Sequence, residues 1–181
     1  MILMASYFLV AKSFIAGPPF CIELGDEWRY RGHPRGKPVE DWNPKQLAVY
    51  GPREFVERDY HQLSPFPMFS PRFQTVIREQ FPGEGQFLPL RLQKPNGTEE
   101  VGGYALGNVL TVIDCLERER TVGTSYNRQF IPVGLPTLTE PNFRGGLFRL
   151  KEGNIVATNR LKAIAEELGL SGVRFVPLNV A

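Results

Sequence analysis

Two stretches of this chain hold apolar residues at helical spacing, and each carries its own start and stop signals. In the first, Ser70 stands where an N-cap acceptor belongs, and Pro71 takes the first helical position, where its missing N–H removes no bond. Phe73, Val76, Ile77 and Phe81 then form one apolar stripe, which Pro82-Gly83 ends. In the second, Thr158 caps a run with Leu161, Ile164, Ala165 and Leu168 on one face, and Gly169 follows where a helix leaves through a glycine. The spacing predicts helices over 70–81 and 158–168. Helices this short draw their stability from whatever their stripes are packed against.

The rest of the periodicity is that of strands. Residues 7–16 read as a strand that ends at Gly17-Pro18-Pro19, where two prolines remove ladder donors. The opening apolar run lacks a basic start and is interrupted by Lys12, so it reads as this buried strand in preference to an export signal or a membrane span. Phe87 to Leu92 is a strand whose Pro89 assigns it to an edge or a bulge. Pro95-Asn96-Gly97-Thr98 turns it back into the run Val101–Ile113, where Tyr104, Leu106, Val109, Leu110, Val112 and Ile113 are candidate core. Gly102, Gly103 and Gly107 inside that run point to bulges or a close backbone approach. A second hairpin is expected at Lys151–Asn154, between 147–150 and 155–157, and a last strand at 173–178. The fold class that follows is α+β: an antiparallel or mixed sheet built from hairpins with at least two packed helices. With 181 residues and 42% hydrophobic content, one domain spanning 1–181 is the expectation.

The chain also echoes itself. Placing Arg72 on Arg160, an offset of 88, aligns Glu79 with Glu167, Phe87 with Phe175, Pro89 with Pro177 and Leu90 with Leu178, and brings the caps Ser70 and Thr158 together. Units 66–92 and 154–180 each read as a short strand, a capped helix and a Phe-x-Pro-Leu strand. Shared ancestry and shared local demands both account for such a match.

Charge narrows the partners. Lys and Arg number 21 against 19 Asp and Glu, too even a balance for tracking a phosphate backbone or for mimicking one. Cys21 and Cys115 form no CxxC pair, which fits a reducing cytoplasm and indicates neither a disulfide framework nor a zinc site. No HExxH, P-loop, GxSxG or GxGxxG-after-strand pattern occurs. A nucleophilic set of Cys115 or Cys21 with His61 and Asp59 is conceivable, against the plainer reading of a loop histidine and two small buried thiols. Glu117-Arg118-Glu119 resembles the Glu-x-Glu pair of ADP-ribosylating enzymes, against the plainer reading of a solvated charged face. From Gly25 to Pro67 the sequence mixes Gly, Pro and Arg with Trp28, Tyr30, Trp42, Tyr50 and Tyr60 and holds no period. Long irregular segments are often functional, and Trp, Tyr and Arg anchor protein interfaces. Trp28, Tyr30, Arg31, Arg35 and Trp42 are therefore the candidate partner-binding residues, unless these rings simply pack the segment onto the core.

The second half resembles a known family. Asn108–Glu119, Leu147-Phe148-Arg149-Leu150, Ile155-Val156-Ala157-Thr158 with Arg160-Leu161, and the closing Gly172-Val173-Arg174-Phe175-Val176-Pro177-Leu178 are similar to an immunity-protein family of bacterial polymorphic toxin systems. Ser70-Pro71-Arg72-Phe73 and Phe87-Leu88-Pro89-Leu90 extend the likeness over roughly residues 66–181. Cys115-Leu116-Glu117 and Arg120 depart from the pattern, where a further acid and a serine are expected. The resemblance implies a cytoplasmic protein that binds and neutralises a cognate toxin domain, with no catalytic residue, metal or cofactor. The alternative is a small modifying enzyme that uses Glu117 and Glu119, or a thiol-dependent one that uses Cys115.

Overall fold

The two capped stretches fold as the spacing requires. In the computed structural model, which describes residues 7–12, 21–22, 36–42, 46–50, 56–62, 67–93, 100–113, 145–151 and 153–177, helix α1 spans Pro71–Gln80 and helix α2 spans Asn159–Glu167. Ser70 Oγ accepts from the Phe73 N–H at 3.2 Å, and Thr158 Oγ1 accepts from the Leu161 N–H at 3.4 Å. Each cap satisfies a donor that the first turn leaves orphaned. Gly169 adopts φ +62, the left-handed conformation that costs a glycine nothing, and the chain leaves α2 with the Leu170 N–H on the Ala165 carbonyl at 2.8 Å.

Each helix belongs to one unit of the same design. In the first unit, β4 (Tyr60–Gln62) pairs antiparallel with β5 (Pro67–Phe69), α1 follows, and the chain returns as β6 (Gly85–Pro89). A further strand, β9 (Ala105–Val109), lies between β5 and β6 and pairs antiparallel with both. In the second unit, β11 (Leu147–Leu150) pairs antiparallel with β12 (Ile155–Thr158), α2 follows, and the chain returns as β13 (Val173–Pro177). Here the intervening strand is β1 (Tyr7–Lys12), antiparallel to β12 and β13. A short β10 (Val112–Ile113) adds parallel to β11 at the far edge.

The registers of the two units agree residue for residue. Leu106 lies opposite Met68 and Leu88, and Leu9 lies opposite Val156 and Val176. Both flanking residues of one row therefore stand 88 positions from those of the other, the offset at which the sequence echoes itself. The central strand is what differs in origin, since β9 follows its own β6 while β1 comes from the opposite end of the described chain.

The units face each other across one core and each closes a second cluster on its outer side. Phe69, Phe73, Ile77, Val109, Leu147, Ala157, Leu161 and Ala165 meet in the shared core. Met68, Leu88 and Leu106 pack on the outer face of the first sheet, and Tyr7, Phe148 and Val156 on that of the second. This split follows from the two-residue side-chain period of a strand, which sends neighbours such as Met68 and Phe69 to opposite faces. Each fully buried large side chain contributes about 1.5–3 kcal/mol by leaving water.

Reciprocal contacts join the units. β1 touches β4, and β9 touches β11, so each central strand meets the other unit's first strand. Arg72, at the start of α1, donates from Nη2 to the Leu168 carbonyl at the end of α2. Arg160, at the start of α2, stands over the ring of Phe81 at the end of α1, 4.9 Å from its centroid. The pair that aligns in the sequence thus makes matching crossings.

A third group of strands extends the first unit. β7 (Arg91–Gln93) and β8 (Glu100–Val101) form an antiparallel arm between β6 and β9, its base held by the Leu90 N–H on the Tyr104 carbonyl at 2.9 Å. β7 also pairs parallel with β3 (Gln46–Tyr50), which pairs antiparallel with β2 (Cys21–Ile22).

The hairpin expected at 151–154 is present, with Gly153 at φ +106 and the Leu150 N–H on the Asn154 carbonyl at 2.8 Å. Pro89 sits on an edge strand as its chemistry demands. The run 101–113 is a correction: it is three strands, β8, β9 and β10, because the chain turns at Gly103, φ +82, and again past Val109. Tyr104, Leu106 and Val109 are buried, but Val112 is 37% exposed and Leu110 and Ile113 only half-buried. The first strand is described to Lys12, and the turn residues 95–98 lie outside the described residues.

Candidate functional site

The arm meets the start of α1 beside a buried acid. Asp59, just ahead of β4, is 8% exposed and joins three segments that sequence separates. Its Oδ1 accepts from Ser70 Oγ, the α1 cap, at 2.7 Å. Its Oδ2 accepts from the Ser171 N–H at 2.7 Å and from Ser171 Oγ at 2.9 Å, on the loop between α2 and β13. Main-chain bonds run beside these, Ser70 N–H to the Asp59 carbonyl at 2.9 Å and Tyr60 N–H to the Ser171 carbonyl at 3.1 Å. Arg72 Nη1 stands 3.8 Å from Oδ2. Burial alone would raise this carboxyl, but the Ser171 N–H, the two serine hydroxyls and Arg72 outweigh it and hold Asp59 below the ordinary aspartate value. Three donors and a cation all favour the charged form.

The second unit is tied down by a different acid. Glu84, fully buried at the entry to β6, accepts from the Gly146 N–H at 3.1 Å and the Leu147 N–H at 2.6 Å, where β11 begins. Beside the two arginine crossings, a buried carboxylate of the first unit thus accepts from the second unit at each of two places, Asp59 from Ser171 and Glu84 from Gly146 and Leu147.

Above Asp59 opens a cleft of about 550 Å³, within the size range of small-ligand and side-chain pockets. Glu57, Arg58, Ser70 and Arg72 line one part, and Val101, Gly102 and Tyr104 of the arm line another. Tyr104 donates from its hydroxyl to the Arg58 carbonyl at 2.9 Å and accepts from the Arg58 N–H at 3.2 Å. Burial pushes this phenol up to about 12, with Glu57 and Asp59 adding to the rise and the Arg58 main-chain bond opposing it, so it stays protonated at neutral pH. The Arg58 guanidinium makes no hydrogen bond or ion pair among the described residues, and it is half-buried. Beside the cleft, His61 is 5% exposed and packs against Tyr104 with ring centroids 5.8 Å apart. Burial, helped by Arg58 and opposed by Asp59, brings its pKa down to about 4, so it is neutral at physiological pH.

Of the five residues expected to bind a partner, Trp28, Tyr30, Arg31 and Arg35 lie outside the described residues. Trp42 is half-buried on the outer cluster of the first unit, its Nε1–H donating to the Pro89 carbonyl at 2.8 Å. The segment it closes lies along β6: the amide of Gln86 donates to the Val39 carbonyl and accepts from the Val39 N–H, both at 2.8 Å. Asn108 donates to the Lys37 carbonyl at 2.8 Å. Cys115, Glu117 and Glu119 lie outside the described residues, as does the side chain of Cys21, while His61 and Asp59 are neighbours at the start of β4. Among the described residues no group of three or more His, Cys, Asp or Glu is gathered to hold a metal ion, and no helix is long and apolar enough to cross a membrane.

Sequence reasoning located Ser70 as a cap and Arg72 as half of the repeated pair, but not the cleft they help to line. Asp59 and Ser171 are 112 residues apart, and nothing local announces a bond between them. No protein-family model matches the chain, and no curated protein matches it.

Proposed function

We propose that this chain is a binding protein that neutralises a cognate bacterial toxin domain in the cytoplasm, as the family its second half resembles implies. The observation that carries this reading is the state of Asp59. The one carboxylate on the floor of the cleft is engaged by Ser70, Ser171 and Arg72, and its affinity for protons is lowered. A general base needs a free lone pair and a pKa near the working pH, and Asp59 has been given the opposite of both. Tyr104, held protonated and bonded to the Arg58 main chain, is likewise fixed in place. What the cleft offers is a mixed-polarity concavity with arginine, tyrosine and apolar lining, which suits recognition of a protein surface.

Co-expression with the product of the neighbouring gene tests the reading. The expected outcome is a co-purifying complex that buries on the order of 800 Å² per partner and restores growth to cells making the toxin. A neighbour that is toxic, does not co-purify and is not counteracted would refute it. Within such a complex Trp28→Ala and Trp42→Ala report whether those rings are contacts: lost binding at unchanged melting temperature marks an interface, and lost stability marks packing.

A further inference from the structure

We propose that the cleft beside Asp59 is where the toxin partner is gripped, and that it receives an acidic side chain, Asp or Glu, between Arg58 and Arg72. This rests on reading the chain as a binding protein. Three observations carry it.

The first is which charges are spent. The charge of Asp59 is stabilised by its hydroxyl and N–H donors and by Arg72, so this carboxylate is committed to the fold. Arg58 is not committed. Its main chain holds the Tyr104 hydroxyl, while its guanidinium, with five donors, has no partner among the described residues. Arg72 uses Nη2 on the Leu168 carbonyl and only a long 3.8 Å approach to Asp59 on Nη1, and its side chain is 54% exposed, so part of its fork remains available. Planar guanidinium groups match a carboxylate by two parallel N–H bonds. Glu57 also lines the cleft, but it is exposed, so water screens its charge.

The second is where the exposed apolar surface lies. Among the described residues the large hydrophobic side chains left open to water are Val56 at 46%, Leu168 at 42% and Val112 at 37%. Val56 precedes the lining residue Glu57 in the chain, and the main-chain carbonyl of Leu168 accepts from the lining residue Arg72. An uncommitted cation in a concavity with apolar neighbours is the composition of an interface anchor point. The third is convergence: the entry to β4 with Glu57 and Arg58, the start of α1 with Ser70 and Arg72, the end of the arm with Val101 and Tyr104, and Ser171 ahead of β13 all line the one cleft.

Arg58→Glu is the decisive variant, since the bonds from Arg58 to Tyr104 are made by the main chain and survive it. With the complex in hand, the Kd for the toxin should rise at least about tenfold, while Arg58→Lys loses less and the melting temperature of the free protein holds. Replacing one Asp or Glu of the toxin should produce the same loss, without adding to that of Arg58→Glu. Undiminished affinity of Arg58→Glu overturns the cleft as the grip and leaves the binding reading standing. If the wild-type chain binds no toxin, that reading fails, and the cleft is judged alone by titrating it with acetyl-Leu-Glu-Leu-amide and acetyl-Leu-Gln-Leu-amide. Saturable shifts of the Arg58 Nε–H resonance with the glutamate peptide and not the glutamine one support the acid-binding cleft. Equal shifts with both, or none, overturn it.

Discussion

The two units hold the same backbone in the same register, yet fill the matching place in their cores by opposite means. In the first, Phe69 is 1% exposed and its ring lies over Gly107, where an added Cβ would come within 2.0 Å of Phe69 Cε2. In the second, the positions 88 residues on and directly matched in register carry Ala157 and Val10. One unit places a large ring on the flanking strand and nothing on the central one; the other divides the volume between two small side chains. The comparison teaches that topology here is set by alternation, caps and turns, which the units share, and that the particular shapes filling the core are a later and exchangeable choice.

The exchange can be attempted directly, and it carries the largest expected effect. Phe69→Ala removes a ring that packs against Phe73 at 4.8 Å and Phe87 at 5.8 Å between centroids, and it should cost about 3–5 kcal/mol in denaturant unfolding. Gly107→Val alone forces a branched side chain into that ring, which its neighbours prevent from moving away, and should cost about 2–3 kcal/mol. The double variant installs the second unit's solution in the first. It should be more stable than Phe69→Ala alone, because the valine occupies space the ring vacated. A double variant whose loss equals the sum of the single losses would show that the two sites are not equivalent in packing, despite their shared register.

Acid separates the units in a different way, because their first strands carry different basic residues. β4 has His61, whose pKa burial brings down from 6.5 to about 4; β11 has Arg149, 3% exposed, which keeps its charge at every accessible pH. The sign follows from the depressed value. His61 is neutral when folded, so its contribution is complete above pH 6.5 and is lost as the pH falls towards 4, by about 3 kcal/mol. Asp59, also lowered, contributes fully above its ordinary value of 3.8 and loses that contribution only as the pH falls through its still lower folded value. Hydrogen exchange between pH 6.5 and 4 should therefore show β4 and β5 losing protection before β11 and β12. His61→Gln should flatten the pH dependence over that interval. Uniform loss across both units would mean that the two open together and that the histidine acts on the whole core.

These contrasts also mark how far the sequence could be read. α1, α2 and the 151–154 hairpin were legible because their causes are local: Ser70 and Thr158 accept from N–H groups three residues on, and Gly153 supplies a backbone conformation that other residues resist. The 88-residue echo was legible as a pattern of identities, and strand residues in matching pairs stand at that offset in the two units. That β1 and β9 play the same part was not legible, since they share no conspicuous motif and one precedes its unit while the other follows. The cleft was hidden for the same reason, as Asp59, Ser70 and Ser171 converge only after both units have closed. The run 101–113 misled because its many apolar residues read as one strand across its turns, and Gly103 was the residue that gave one of them away.

The smallest effect tests the crossings themselves. Arg72 and Arg160 are equivalent in sequence and in place, but Arg72 ends on a carbonyl and Arg160 on an aromatic face. A charged donor to the last carbonyl of a helix is worth about 1 kcal/mol where partly exposed, and it also opposes the negative end of the α2 dipole. A guanidinium over a phenyl ring contributes about 0.5–1 kcal/mol at such a site and relies on the Phe81 ring being fixed in the core. Arg72→Ala should therefore lower stability slightly more than Arg160→Ala, and added salt should narrow the gap, because it screens the exposed Arg72 interaction with Asp59 and the helix end. If the order is reversed, or if 0.5 M salt leaves both losses untouched, then the stems of these side chains, laid along the seam, hold the units together and their charges do not.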